Sequence, residues 1–180
     1  MIWTNSKYVG DGDVFLATNK NYKYIDLNLL KKVSEIVFVS DENKYIYDNY
    51  YDKIKDLKLI GITGTNGKTT TCYLIYQMLN LIGIKTAYIG TIGFYIDDMV
   101  FKLDNTTPEI SLLYNMLYYA KKRKCKVVVM EVSSHALKQD RTYGLLFDSV
   151  LVTNITRDHL DYHKTLKDYI KSKQKLIHLT

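Results

Sequence analysis

The residues that first offer chemistry are Lys68 and Thr69, which close the Gly-rich turn Gly64-Thr65-Asn66-Gly67 and precede Thr70 and Thr71. Apolar residues from Leu59 run into this turn, and an amphipathic stretch, Cys72 to Ile82, follows it. That order predicts strand, phosphate loop, helix. Glycines let backbone N–H groups close on phosphate oxygens, and the helix N-terminus adds its dipole at the same point. Lys68 is placed to reach β- and γ-phosphates, and the Thr69 hydroxyl to ligate Mg²⁺. Ile62 occupies the position where the strict phosphate-loop pattern has a further glycine. The competing reading is a Gly-rich strand-to-helix turn that binds nothing.

A second group of chemically capable residues follows two later apolar runs. Glu131 closes the run Lys126-Val127-Val128-Val129-Met130 and leads into Val132-Ser133-Ser134-His135. A carboxylate there, beside a phosphate loop, can bind Mg²⁺ directly or through water. A helix-capping or ion-paired Glu is the alternative. Asn154 to His163 follows the run Ser149 to Thr153. His159 and His163 are four apart, a zinc-pair spacing, but no third ligand supports it. His159 is read as a metal or phosphate contact and His163 as structural.

These groups need a scaffold that brings strand ends together. From Leu57 onward strand and helix patterns alternate, which predicts a mostly parallel sheet with helices on both faces. The expected strands are 59–63, 85–90, 126–131 and 149–153. A hairpin excursion is expected over 91–103, a helix from Pro108 to about Lys122, and a helix from His163 to Ile177. Ligands in such sheets sit beyond the carboxyl ends of the strands, where all of these motifs fall. Residues 1–56 read as a small α/β domain, with strands near Asp13–Ala17 and Ile36–Ser40 and a helix over 28–34. Residues 57–180 read as the second domain.

Composition narrows the class. The apolar fraction of 47% is enough for a core. The net charge of +6 comes from scattered lysines with no dense basic run, so a solvated surface is favoured over nucleic-acid binding. Cys72 and Cys125 form no metal or disulfide pattern and fit a reducing compartment. The N-terminal residues do not read as a signal peptide, and no apolar run is long enough to span a membrane.

Taken together, Gly64–Thr70, Asn105-Thr106-Thr107-Pro108, Glu131–Leu137 and Thr153–His163 resemble the Mur ligase family in order and spacing. That family tolerates Val or Ile at the position of Ile62. Within it the chain looks most like the members that add a diamino acid to UDP-N-acetylmuramoyl-L-alanyl-D-glutamate. The resemblance implies a cytoplasmic, ATP- and Mg²⁺-dependent amide ligase of peptidoglycan synthesis, monomeric at full length. Gly64, Thr65, Asn66, Gly67, Lys68, Thr69 and Thr70 would hold ATP. Asn105, Thr106, Thr107, Ser133, Gln139 and Arg141 would contact the UDP-linked dipeptide, with Ser6 and neighbouring Thr4 toward its uridine end. Thr69, Glu131 and His159 would bind magnesium, joined by Lys173 as a carbamate, and Lys68, Lys173 and His159 would be catalytic. Family members carry a third domain after the central one. The 180 residues are therefore expected to be an N-terminal portion, inactive alone. A folylpolyglutamate-synthetase-like ligase and a non-catalytic nucleotide-binding module are the alternatives.

Overall fold

Two mostly parallel sheets form because short apolar runs alternate with helices long enough to cross over between neighbouring strands. A computed structural model describes residues 1–158 and 160–180. In the first sheet β1 (Ile2–Trp3), β2 (Val14–Ala17) and β3 (Glu35–Phe38) lie in chain order. Helix α1 (Leu27–Lys32) connects β2 to β3, and α2 (Glu42–Ile54) leads onward. Aspartates cap both helices: Asp26 Oδ1 accepts from the Leu29 amide and Asp41 Oδ1 from the Lys44 amide.

The second sheet has β4 (Lys58–Thr63), β5 (Thr86–Gly90), β6 (Gly93–Ile96), β7 (Met99–Phe101), β8 (Val127–Glu131) and β9 (Ser149–Val152) in the order β7-β6-β5-β8-β4-β9. Strands β5, β8, β4 and β9 run parallel, and β6–β7 is the antiparallel excursion expected over 91–103. Helix α3 (Lys68–Leu81) crosses from β4 to β5, and α4 (Ile110–Lys122) leads into β8. The fold is α/β with mostly parallel sheets. Strand β9 forms an edge, with Leu151 and Val152 exposed there.

Register sets where the functional residues fall. Ile62 of β4 pairs with Glu131 of β8, Ile89 of β5 with Met130, and Thr63 with Val152 of β9. The carboxyl ends of four parallel strands therefore finish side by side.

One apolar core joins the two sheets. It runs from Phe15 and Leu16 through Ile46 and Tyr50 of α2 and Leu113 and Leu117 of α4 to Val128 and Met130. On the other face α3 covers Ile62, Tyr88 and Val129 with Cys72. A buried polar knot ties the small sheet to α4. Asn115 Nδ2 donates to the Ile2 carbonyl at 2.8 Å, and the Tyr50 hydroxyl donates to Asn115 Oδ1 while accepting from the Ile2 amide.

The helix expected from His163 to Ile177 starts later, at Leu166, and a separate short helix precedes it. A short helix, α6 (Leu160–His163), ends where Lys164 takes φ 61°, and α7 (Leu166–Ile177) starts afresh after Thr165. The Thr165 hydroxyl accepts from the Asp168 amide, so the new helix has its own cap. A five-residue helix after β8, α5 (Ser134–Lys138), was not expected from periodicity. The Ser133 hydroxyl caps it by accepting from the Ala136 amide.

Removing the Asn115 amide strands two buried partners. Asn115→Ala should cost about 2–4 kcal/mol in urea unfolding. A loss below about 0.5 kcal/mol would show that the knot is not a structural tie.

Candidate functional site

The loop after β4 is shaped by two glycines in left-handed conformations. Gly64 has φ 147°, and a Cβ there would lie 2.0 Å from Thr153 Oγ1. Gly67, with φ 83°, caps α3, and a Cβ there would meet nothing closer than 3.9 Å. The loop thus sits hard against the β9 end on one side and stays open at the mouth of α3. Backbone and side-chain bonds hold it. Thr65 N donates to the Asn154 carbonyl at 2.9 Å, Asn66 N to Asn154 Oδ1 at 3.1 Å, and Thr153 Oγ1 to the Asn66 carbonyl at 2.6 Å. The Thr65 hydroxyl meets the Tyr169 hydroxyl of α7 at 2.9 Å.

Two ammonium groups converge on the loop. Lys68 Nζ donates to the carbonyls of Gly64 (2.8 Å) and Thr65 (2.9 Å). Lys173 Nζ, on the buried face of α7, donates to the same Gly64 carbonyl at 2.8 Å and lies 4.7 Å from the Tyr169 ring centroid. The Lys173 side chain is 2% exposed. Burial, and the charge of Lys68 beside it, push its pKa down to about 8, with Asp158 acting weakly the other way.

Glu131 is fully buried, and four donors meet its carboxylate. The Tyr88 hydroxyl (2.5 Å) and the Thr91 amide (2.9 Å) donate to Oε1; the Thr69 hydroxyl (2.9 Å) and the Thr91 hydroxyl (3.1 Å) donate to Oε2. Its main-chain carbonyl accepts from Thr107 Oγ1 at 2.9 Å. The expected magnesium donors Thr69 and Glu131 are thus adjacent at the N-terminus of α3. An all-oxygen pair beside a loop open to phosphate suits a hard cation such as Mg²⁺. His159, the other expected ligand, lies outside the described residues.

The expected substrate residues form a chain of contacts leading away from Glu131. Thr106 Oγ1 meets Thr91 Oγ1 at 3.0 Å, and the Ser133 amide donates to Thr107 Oγ1 at 2.9 Å. Arg141 Nη1 donates to the Thr107 carbonyl at 2.6 Å, and Arg141 Nε and Nη2 both reach Gln139 Oε1. Gln139 Nε2 donates to the Tyr162 hydroxyl. Asn105, Gln139 and Arg141 line a polar cleft of about 400 Å³ with Lys20, Glu42 and Glu109. The cleft opens between the loops of the two sheets.

Ser6 and Thr4 stand differently. Thr4 is buried, its hydroxyl 2.9 Å from that of Ser111, so it serves the junction with α4. Ser6 is exposed on a 3₁₀ turn whose Lys7 and Tyr8 contact Asp104, the neighbour of Asn105. His163 is buried: Nε2 lies 2.9 Å from the Ser134 hydroxyl and Nδ1 3.4 Å from that of Ser172. That environment matches its structural reading.

Sequence reasoning missed Tyr88, Gly90 and Thr91. A Cβ at Gly90 would lie 2.2 Å from Glu131 Oε1 and 2.3 Å from the Tyr88 hydroxyl. The signal available was Gly90-Thr91 closing an apolar strand, the place where a site residue is expected.

Comparison with known proteins points the same way. Residues 62–179 match the family described as Mur ligase middle domain. A UDP-N-acetylmuramoyl-L-alanyl-D-glutamate–2,6-diaminopimelate ligase of Helicobacter pylori is 44% identical over 161 residues, covering 89% of this chain and 34% of that protein. The enzyme of the same name from Parabacteroides distasonis is 44% identical over 126 residues, covering 70% of this chain and 26% of that protein. The chain therefore spans about a quarter to a third of the length of the curated relatives it matches. A solved structure of a ligase of that name superposes with TM-score 0.75 at 26% identity, covering 99% of this chain and 40% of that one. The MurF ligase of Thermotoga maritima, solved in complex with ADP, shares the fold at TM-score 0.65 and 19% identity, covering 99% and 43%.

The depressed Lys173 pKa has a testable sign. Its unfolded pKa, near 10.5, lies above the folded value of about 8, so between those limits the unfolded chain holds more protons. The cost of burying the charge is full below that window and disappears as pH rises through it. Wild-type stability should therefore climb across the window relative to Lys173→Met, measured by urea unfolding at several pH values. Parallel curves for the two proteins would contradict the assignment.

Proposed function

The chain belongs to the Mur ligase family, and from that premise we propose that it supplies the phosphate loop and substrate cleft of an ATP-dependent peptidoglycan-precursor ligase. The reaction adds a diamino acid, meso-diaminopimelate by default, to UDP-N-acetylmuramoyl-L-alanyl-D-glutamate. The observation that carries this reading is convergence at the strand ends. Thr69 and Glu131 meet at 2.9 Å, and Lys68 and Lys173 both bond the Gly64 carbonyl. Relatives of the same printed name support the choice of substrate.

In this reading Gly64 to Thr70 cradle the triphosphate of ATP. Lys68 exchanges the Gly64 and Thr65 carbonyls for β- and γ-phosphate oxygens, a trade of neutral acceptors for charged ones. Thr69 and Glu131 hold the cation, with His159 as a further ligand. Magnesium, when bound, neutralises charge on the phosphoryl oxygens. Positioning and electrostatics then carry phosphoryl transfer to the D-glutamyl carboxylate. The acyl phosphate so formed is attacked by the incoming amine, which expels phosphate.

Lys173 enters as a carbamate. Its neutral amine attacks carbon dioxide, a C–N bond forms, and one proton is released. A pKa near 8 leaves roughly a tenth of the amine unprotonated at neutral pH, far more than an ordinary lysine offers. The product replaces a buried cation with oxygen ligands of opposite charge.

Arg141, Gln139, Thr106, Thr107, Ser133 and Asn105 face the UDP-linked dipeptide, and Ser6 lies toward its uridine end. Residues 1–56 act as the uridine-side domain and residues 57–180 as the ATP-side domain. Among the described residues no helix is long and apolar enough to cross a membrane. The proposed setting is the cytoplasm, with the full-length enzyme a monomer.

Calorimetric titration separates this reading from a folate-directed ligase. UDP-N-acetylmuramoyl-L-alanyl-D-glutamate should bind the chain, and Arg141→Ala should weaken it roughly tenfold by removing a charge-assisted contact. Binding of a folate in its place would transfer the chain to the other ligase class.

A further inference from the structure

Glu131 is held asymmetrically, and the asymmetry points to a residue with no role so far. Its Oε1 is bonded by the Tyr88 hydroxyl and the Thr91 amide. Neither of these groups lies among the proposed ligands of cation or phosphate. Its Oε2 is bonded only by hydroxyls, those of Thr69 and Thr91. A hydroxyl can turn its hydrogen away and present a lone pair, whereas an amide cannot. Oε1 thus has one donor, the Thr91 amide, that cannot yield, and a phenol whose ring is held in place, whereas Oε2 faces only aliphatic hydroxyls that can yield to a cation.

Tyr88 is built to hold that anchor. Its ring is fully buried and contacts Tyr73 (5.7 Å, 89°), Tyr76 (6.2 Å) and Tyr95 (5.6 Å, 79°). Edge-to-face packing of this kind fixes ring orientation. Gly90 leaves room for the hydroxyl and carboxylate to meet, since a Cβ there would overlap both.

We propose that Tyr88 is a positioning residue for the cation site: its hydroxyl pins Glu131 Oε1 so that Oε2 alone is presented to the metal beside Thr69. The proposal rests on the nucleotide-site reading above. Partners that orient a metal ligand are commonly worth about 10- to 100-fold in metal affinity.

The test is the linkage between Mg²⁺ and ADP in calorimetric titrations of the chain, with saturating Mg²⁺ and with EDTA. The ratio of the two ADP dissociation constants measures how well the site holds the cation. Tyr88→Phe should lower that ratio about tenfold and leave ADP affinity in EDTA unchanged. Tyr95→Phe, in the same aromatic cluster, should leave both quantities at wild-type values. Wild-type coupling in Tyr88→Phe would overturn this inference and spare the nucleotide site. Loss of ADP binding in EDTA as well would assign Tyr88 a purely structural role. Failure of the wild-type chain to bind ADP under either condition would overturn both readings.

Discussion

A carboxylate with no exposed surface, at the end of a parallel strand, must have its charge met by the groups around it. Glu131 is in that position, and much of the second sheet can be understood as the means of satisfying it. Strand β5 supplies Tyr88 and the space left by Gly90; the turn after it supplies Thr91; helix α3 supplies Thr69. Each donor reaches Glu131 only because β4, β5 and β8 end in register. Losing any one of these partners would leave part of a buried charge unmet.

The loop after β4 collects positive charge beside the same strand ends. Lys68 and Lys173 share the Gly64 carbonyl, a weak acceptor for two ammonium groups. Their mutual repulsion is part of what lowers the Lys173 pKa. A phosphate at the mouth of α3 would give Lys68 a charged partner, and a carbamate would turn Lys173 from cation to anion. The loop itself need not move far, because Asn154 and Thr153 already hold its backbone.

How much of this was readable beforehand follows the range of each interaction. The Gly-rich loop was legible as a candidate phosphate site because its residues are consecutive, Gly64 to Thr70. Glu131 was legible as a carboxylate closing an apolar run. Tyr88 was not, because its partner is 43 positions away and only sheet register brings them together. Thr4 looked available to ligand yet is spent on Ser111, a contact across 107 positions. The break after His163 was a local feature passed over: Thr165-Leu166-Lys167-Asp168 is a capping pattern, overridden by the apolar periodicity on either side. Family resemblance added Arg141 and Lys173, whose roles no local pattern would have raised. The structure places Arg141 on the Thr107 carbonyl and Lys173 on the phosphate loop.

The central claim is that cation and nucleotide are gripped at the carboxyl ends of β4, β5 and β8. Amide NMR spectra of the chain with ADP, recorded as Mn²⁺ replaces Mg²⁺, test it most directly. Paramagnetic broadening should erase the signals of Gly67, Lys68, Thr69, Thr91 and Glu131 while leaving Leu29 and Ile46 sharp. Broadening centred elsewhere, or spread evenly over the chain, would contradict the account.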